Sequence, residues 1–213
     1  MSGVLNPRIP AIVLAALLLL SACGEDPLSR PSGPPKANAG NTRATLESLT
    51  IGEHHSMTGY SRDRFPHWRK AGSNCDVRDT VLARDGKDIK KDGCNVTGGV
   101  WVSVYDSVTV TVTTEVDIDH MVPLANAWRS GADKWDDDKR GDFANDLDRP
   151  QLRAVTASSN RSKGDQDPSQ WKPPSPTYWC QYAKDWIIVK SYWQLSVTKA
   201  EKSALAEMLG TCV

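Results

Sequence analysis

The sequence has no excess of charge of either sign. Its 26 Lys and Arg are matched by 26 Asp and Glu, a formal net charge of zero. Bulk attraction to nucleic acid is therefore excluded, and any phosphate affinity has to come from a local cluster or a metal ion. The chain also lacks, in the apolar run at residues 9–22, the roughly 20 residues that a bilayer-spanning helix needs. Closely spaced cysteines are missing as well. No two of Cys75, Cys94, Cys180 and Cys212 fall within the short gap of a zinc-ligand pair, which argues against a zinc site. There is no internal repeat and no second linker.

What is present begins with that short apolar run, preceded by the single cation Arg8, which reads as a signal peptide over residues 1–22. The run ends in Leu20-Ser21-Ala22-Cys23, which matches a bacterial lipobox and predicts a lipid on Cys23 and a membrane tether; the plain alternative is an ordinary signal peptide with a chance cysteine. Setting Cys23 aside leaves an even set of four, suited to an oxidising compartment. Of the three possible connectivities, Cys75 with Cys94 and Cys180 with Cys212 are favoured, because each pair brackets one continuous unit. Each bridge is expected to contribute roughly 3 kcal/mol. Residues 23–42, rich in Pro, Gly, Ser and Asn, read as a flexible tether. Residues 43–213 then form one domain, for which a 39% apolar content and eight Trp provide a core.

Within that domain, Leu46, Leu49 and Ile51 suggest a short amphipathic turn, and 78–82 a short helix followed by a turn at Asp92-Gly93. Alternation over 101–105 and 108–116 predicts two half-buried strands joined at Asp106-Ser107, the second running directly into Asp117. Residues 124–130 read as a helix stopped by Gly131, and Asp133 as the cap of another carrying Trp135 and Phe143. A further turn or two of helix over 156–163 stops at Gly164. Residues 178–192 form a helix, and the capping box Thr198-Lys199-Ala200-Glu201 starts the last, ended by Gly210.

The stretch 117–165 carries the chemistry. It opens with Asp117-Ile118-Asp119-His120-Met121-Val122-Pro123 and closes with Asn160-Arg161-Ser162-Lys163-Gly164-Asp165. Phosphodiester hydrolysis needs a nucleophilic water and an ion to neutralise phosphate charge. His120 can take a proton near neutral pH, and Asp119 and Asn160 offer the hard oxygens Mg²⁺ prefers. On an extended strand Asp119 and His120 point to opposite sides unless a local bend brings both inward. A histidine at a strand end can equally be a hydrogen-bonded structural residue.

These motifs resemble the HNH, or ββα-metal, endonucleases. The pattern is most similar to secreted bacterial HNH proteins with Asp-His-x-x-Pro, Phe-Ala-Asn-Asp (here Phe143-Ala144-Asn145-Asp146) and Asn-x-x-Lys-Gly-Asp. Over the core alone it is similar to the HNH domain of RNA-guided CRISPR nucleases. The resemblance implies an α+β fold with a ββα-metal core at about 100–165, additional helices and two disulfides. It implies His120 as general base, Asp119 and Asn160 as ligands of a divalent metal, Mg²⁺ or Mn²⁺, Asp165 supporting the metal shell, and Lys163 and Arg161 near the phosphate. Gln151 stands where the family often has an Asn that positions the histidine, with Asn145 as a possible substitute.

Asn145 and Asp146 also fit as helix-end and turn residues, and Arg161 and Lys163 as a solvated basic face. The adjacent His54 and His55 read as polar surface, His67 as structural, and Arg78 with Asp79 as an internal ion pair. The expected activity is extracytoplasmic cleavage of DNA, or of RNA, with little sequence preference, since no recognition helix or basic arm is visible. No protein partner is identifiable. The rivals are a catalytically weak surface lipoprotein that binds a partner on the same scaffold, favoured by Gln151 and the neutral charge, and a hydrolase of small phosphate esters.

Overall fold

A computed structural model describes residues 39–71 and 75–213, besides Met1 and Gly3. The expected signal peptide, the lipidation at Cys23 and most of the tether lie outside the described residues. The chain divides into units Met1–Gly33 and Pro34–Val213, and the second holds the elements described below. Among the described residues no helix is long and apolar enough to cross a membrane.

Helix α1 (Ala39–Ser48) starts inside the stretch expected to be tether, and buries Leu46 and Thr42. Asp76 caps α2 (Val77–Asp85) by accepting from Asp79 N at 2.7 Å. Three antiparallel strands follow in the order β1 (Lys87–Asp92), β2 (Asn95–Val102) and β3 (Thr109–Val110). The charged Lys87–Asp92 strand carries no alternation of its own; it exists because the Asp92-Gly93 turn folds it onto β2, and the Cys75–Cys94 bridge pins that turn. The single strand expected over 108–116 is instead broken. One 3-10 turn at Thr113–Glu115 separates β3 from β4 (Val116–His120), which leaves the first sheet and pairs with β5 (Leu152–Thr156).

Between β4 and β5 lie α3 (Leu124–Arg129) and α4 (Asp137–Ala144). The cap of α4 is Asp136, which accepts from Lys139 N at 2.8 Å, and not Asp133, which is held by His55 Nδ1 at 2.8 Å. Helices α5 (Ala157–Lys163), α6 (Trp179–Tyr192) and α7 (Lys199–Leu209) complete the domain, the last with the expected capping box on Thr198 and Glu201. The fold is α+β, with both expected disulfides, Cys75–Cys94 and Cys180–Cys212.

Two cores support it. One gathers α1, α3, α4, α6 and α7 around Phe65, Phe143, Trp186 and Leu205; the other packs α2 against the strands through Val81, Leu82, Trp101, Ile118 and Leu152. Arg78 and Asp79 do not pair with each other: Arg78 reaches Val116 O and Asp79 accepts from Val96 N at 2.9 Å, tying α2 to both sheets.

Candidate active site

The period of two along β4 turns Val116 and Ile118 toward the second core, while Asp117 and Asp119 face the side on which α5 lies. Antiparallel pairing sets Val116 opposite Thr156 and His120 opposite Leu152, and α5 begins one residue after β5 ends. Thr156 caps α5 by accepting from Ser159 N at 3.3 Å, and Ser159 Oγ donates to Asp106 Oδ2 at 2.7 Å. Asn160 and Lys163, three apart on α5, therefore meet the two carboxylates of β4. The strand, strand and helix are β4, β5 and α5, not the pair of strands at 101–116 expected to provide them.

Lys163 is fully buried. Its Nζ donates to Asp119 Oδ1 at 2.8 Å and to His120 O at 2.8 Å, and the other oxygen of Asp119 accepts from Tyr105 OH at 2.5 Å. Burial raises the Asp119 carboxyl and lowers the Lys163 amine, while their mutual attraction opposes both shifts. Burial also lifts Tyr105 far above its ordinary value, so it stays a neutral phenol and a donor. Lys163 was expected beside the phosphate; instead its ammonium is spent inside, fixing the carboxylate and the strand end.

His120 is 5% exposed, and its Nε2–H donates to Ala144 O at 3.0 Å. With that nitrogen holding the proton, Nδ1 carries the free lone pair. Burial pushes the imidazole down to about 3, the Ala144 bond opposes this, and the positive charges of Arg62 and Lys163 add to it. The ring is neutral throughout the physiological range. Because His120 binds its proton at about 3 in the fold and near its ordinary 6.5 in the unfolded chain, the unfolded state takes up more protons between those values. Stability should therefore fall as pH drops from 6.5 toward 3. Melting curves across that window should be less acid-sensitive in His120→Gln than in wild type; identical slopes would contradict the burial of a neutral imidazole.

The Phe143-Ala144-Asn145-Asp146 stretch has a defined part. Ala144 supplies the carbonyl that fixes His120. Asn145 accepts from Arg69 N at 2.9 Å and donates to Pro66 O at 2.7 Å, holding a loop in which Trp68 adopts a φ of +60°. The Trp68 ring lies 5.9 Å from that of His120. Asp146 is a structural acceptor for Arg149 Nε at 2.7 Å and Trp193 Nε1 at 2.9 Å.

Gln151 does not touch the imidazole. Its side chain accepts from Val122 N at 3.1 Å and donates to Val122 O at 2.9 Å, so its amide is committed to the backbone after the strand end. Asp165 is turned away too, accepting from Arg129 Nη1 at 2.6 Å. Asn160 Nδ2 donates to Asp117 Oδ2 at 3.1 Å, which leaves Asn160 Oδ1 as an unused acceptor among the described residues. Arg161 is 75% exposed, with its Nε 3.9 Å from Asp117.

Asp119, His120 and Asn160 line one cavity of about 70 Å³, together with Arg62, Ile118, Pro123, Leu124 and Gly164. Both neighbours at the strand end thus reach the same cleft. Each Asp119 oxygen already accepts one hydrogen bond and keeps a second lone pair, and Asn160 Oδ1 accepts none among the described residues, so these hard oxygens fit a Mg²⁺-type cation. A larger cavity of about 440 Å³ is lined by Arg69, Asn145, Asp146, Arg149 and Trp193. Two of its three lining cations are already paired, Arg69 with Asp142 at 2.9 Å and Arg149 with Asp146 at 2.7 Å; the third is Lys70. His54 sits near Asp167 and Glu201. Glu201, however, is already bonded by Trp186 Nε1 at 2.6 Å and paired with Lys190 at 3.2 Å. Sequence reading gave no site role to Arg62 or Trp68, nor to Tyr105, which stands out only within the alternating stretch 101–105.

Comparison with known proteins gives two matches. Residues 82–208 match the model of the GmrSD restriction endonucleases, C-terminal domain, a span that includes every site residue from Tyr105 to Asp165. An "Uncharacterized secreted protein" of Arthroderma benhamiae is 49% identical over 201 residues, covering 94% of this chain and 97% of the relative. That relative is fungal, and not one of the secreted bacterial proteins that the motifs were expected to point to. No solved structure matches. The chain belongs to the family of the GmrSD restriction endonuclease C-terminal domain.

Proposed function

We propose that this chain is an extracytoplasmic, HNH-type endonuclease that hydrolyses phosphodiester bonds in DNA with the help of one divalent cation, Mg²⁺ or Mn²⁺. The observation that carries the reading is His120: an imidazole fixed through Nε2–H on Ala144 O, with Nδ1 free, in one cleft with Asp119 and Asn160. Membership of a family described as restriction endonucleases supports the reaction class.

In this mechanism His120 Nδ1 takes a proton from the attacking water. The new O–P bond forms as the ester P–O bond breaks, and the leaving oxygen is protonated from solvent. Asp119 and Asn160 hold the cation, which when bound offsets negative charge on the phosphate. Lys163 and Tyr105 orient Asp119, and Gln151 fixes the backbone after the strand end, so each acts through another residue. Asp165, paired with Arg129, has no part in the cation shell.

A cavity of about 70 Å³ is well below the roughly 300 Å³ of a small-molecule site, so it does not enclose a whole nucleotide and is of a size for a phosphate group. That favours the backbone of a polymer, read without regard to sequence, over a free nucleotide. The named secretion of the Arthroderma benhamiae relative and the two disulfides support an extracytoplasmic location. Lipidation of Cys23 belongs to the same proposal.

Plasmid DNA and an activated small phosphodiester, offered to the same preparation with Mg²⁺, discriminate the readings. Turnover of plasmid far above that of the small diester is expected. The reverse preference would make the chain a small-ester hydrolase, and cation binding without turnover of either would make it a binding protein.

A further inference from the structure

We propose that Arg62 is a catalytic residue of this cleft, its guanidinium binding a non-bridging oxygen of the phosphodiester under attack. The inference rests on the hydrolytic reading above and adds to it a phosphate-binding group from outside the strand-strand-helix unit and outside the matched span of 82–208.

Arg62 lies on a one-turn 3-10 helix, Arg62–Arg64, and lines the same cavity as Asp119, His120 and Asn160. The residue is exposed, and while its carbonyl accepts from Phe65 N at 3.0 Å, its guanidinium has no hydrogen-bond or ion-pair partner among the described residues. Its neighbours are committed. Arg64 pairs with Asp137 at 3.1 Å and stands over Trp128 at 5.7 Å, while Arg129 is taken by Asp165 at 2.6 Å.

Three features select a phosphate as its ligand. A planar fork of N–H donors matches two phosphate oxygens at once. The cavity, about 70 Å³, is of a size for a phosphate group and does not enclose a whole nucleotide. A chain with no net charge must find its phosphate affinity locally, and Lys163, the other cation at the cleft, is buried against Asp119. During attack the non-bridging oxygens gain negative charge as the water oxygen bonds to phosphorus, His120 Nδ1 accepts the proton and the ester oxygen departs. A fixed cation at those oxygens stabilises that state more than the ground state.

Two readouts on the full, disulfide-bonded chain test this: anisotropy of a labelled DNA duplex in EDTA, and plasmid cleavage with Mg²⁺. They are made on wild type, Arg62→Ala, Arg62→Lys and Lys91→Ala, an exposed cation on the β1–β2 hairpin that serves as a charge-matched control. Arg62→Ala should leave the melting temperature unchanged, weaken binding about tenfold, flatten its salt dependence by about one counterion and slow cleavage by about 10²-fold. Arg62→Lys should recover part of the cleavage, and Lys91→Ala should change neither. If Arg62→Ala weakens binding no more than Lys91→Ala does, the phosphate contact is wrong whether or not the wild type cleaves. If the wild type binds without cleaving and Arg62→Ala still loses affinity, the contact stands and the hydrolytic reading fails.

Discussion

Replacement of His120 by alanine is expected to slow plasmid cleavage by about 10²–10⁴-fold, the range for losing a positioned general base. The size of the effect follows from how completely the ring is committed. Ala144 O holds Nε2 at 3.0 Å, burial keeps the ring neutral, and Trp68 stands 5.9 Å away, so Nδ1 has one orientation and one protonation state. Among the described residues no other imidazole lines the cleft; His67, the nearest, ties its Nδ1 to Phe65 O at 2.8 Å. Circular dichroism and a melting curve on the same preparation separate lost chemistry from a lost fold. A folded His120→Ala enzyme with wild-type rates would remove His120 from the mechanism.

The second large effect is on stability. Lys163→Met should destabilise the domain by about 3–5 kcal/mol, because it leaves the Asp119 carboxylate, 4% exposed, without its cation. His120 O loses a donor in the same step. Denaturant titration reads the loss as a shift in midpoint at constant slope. Adding Asp119→Asn to Lys163→Met should restore part of the stability, since a neutral amide costs less to bury than an unpaired carboxylate. A surface role for Lys163, as a phosphate contact on a solvated helix face, would instead leave the midpoint within about 0.5 kcal/mol of wild type.

That contrast shows where sequence reading reaches its limit. Local signals were legible: the capping box of α7, both disulfide pairs, α6, and the α5 turn that sets Asn160 and Lys163 on one face. The two motifs of the site also proved to be neighbours, with Asp119, His120 and Asn160 in one cavity. Partnerships across the chain were not legible. The β4–β5 pairing joins segments separated by two helices, and a strand as charged as Lys87–Asp92 is recognisable only from the strand it folds onto. Side-chain roles went the same way. Lys163 and Asp165 stand two residues apart in one motif, yet the first is buried on Asp119 and the second pairs outside with Arg129, because the turn at Gly164, with φ of +54°, sends the chain in a new direction. Gln151 differs from the amide expected there by one methylene, and its amide is committed to the backbone of Val122.

The most direct test is the conversion of supercoiled plasmid to nicked circles by the disulfide-bonded protein, followed over time with Mg²⁺ and again with EDTA. A nuclease built on Asp119, His120 and Asn160 gives nicked product with Mg²⁺ and none with EDTA. Folded protein that leaves the plasmid intact in Mg²⁺, or that nicks it equally well in EDTA, would contradict a metal-dependent phosphodiesterase at this cleft.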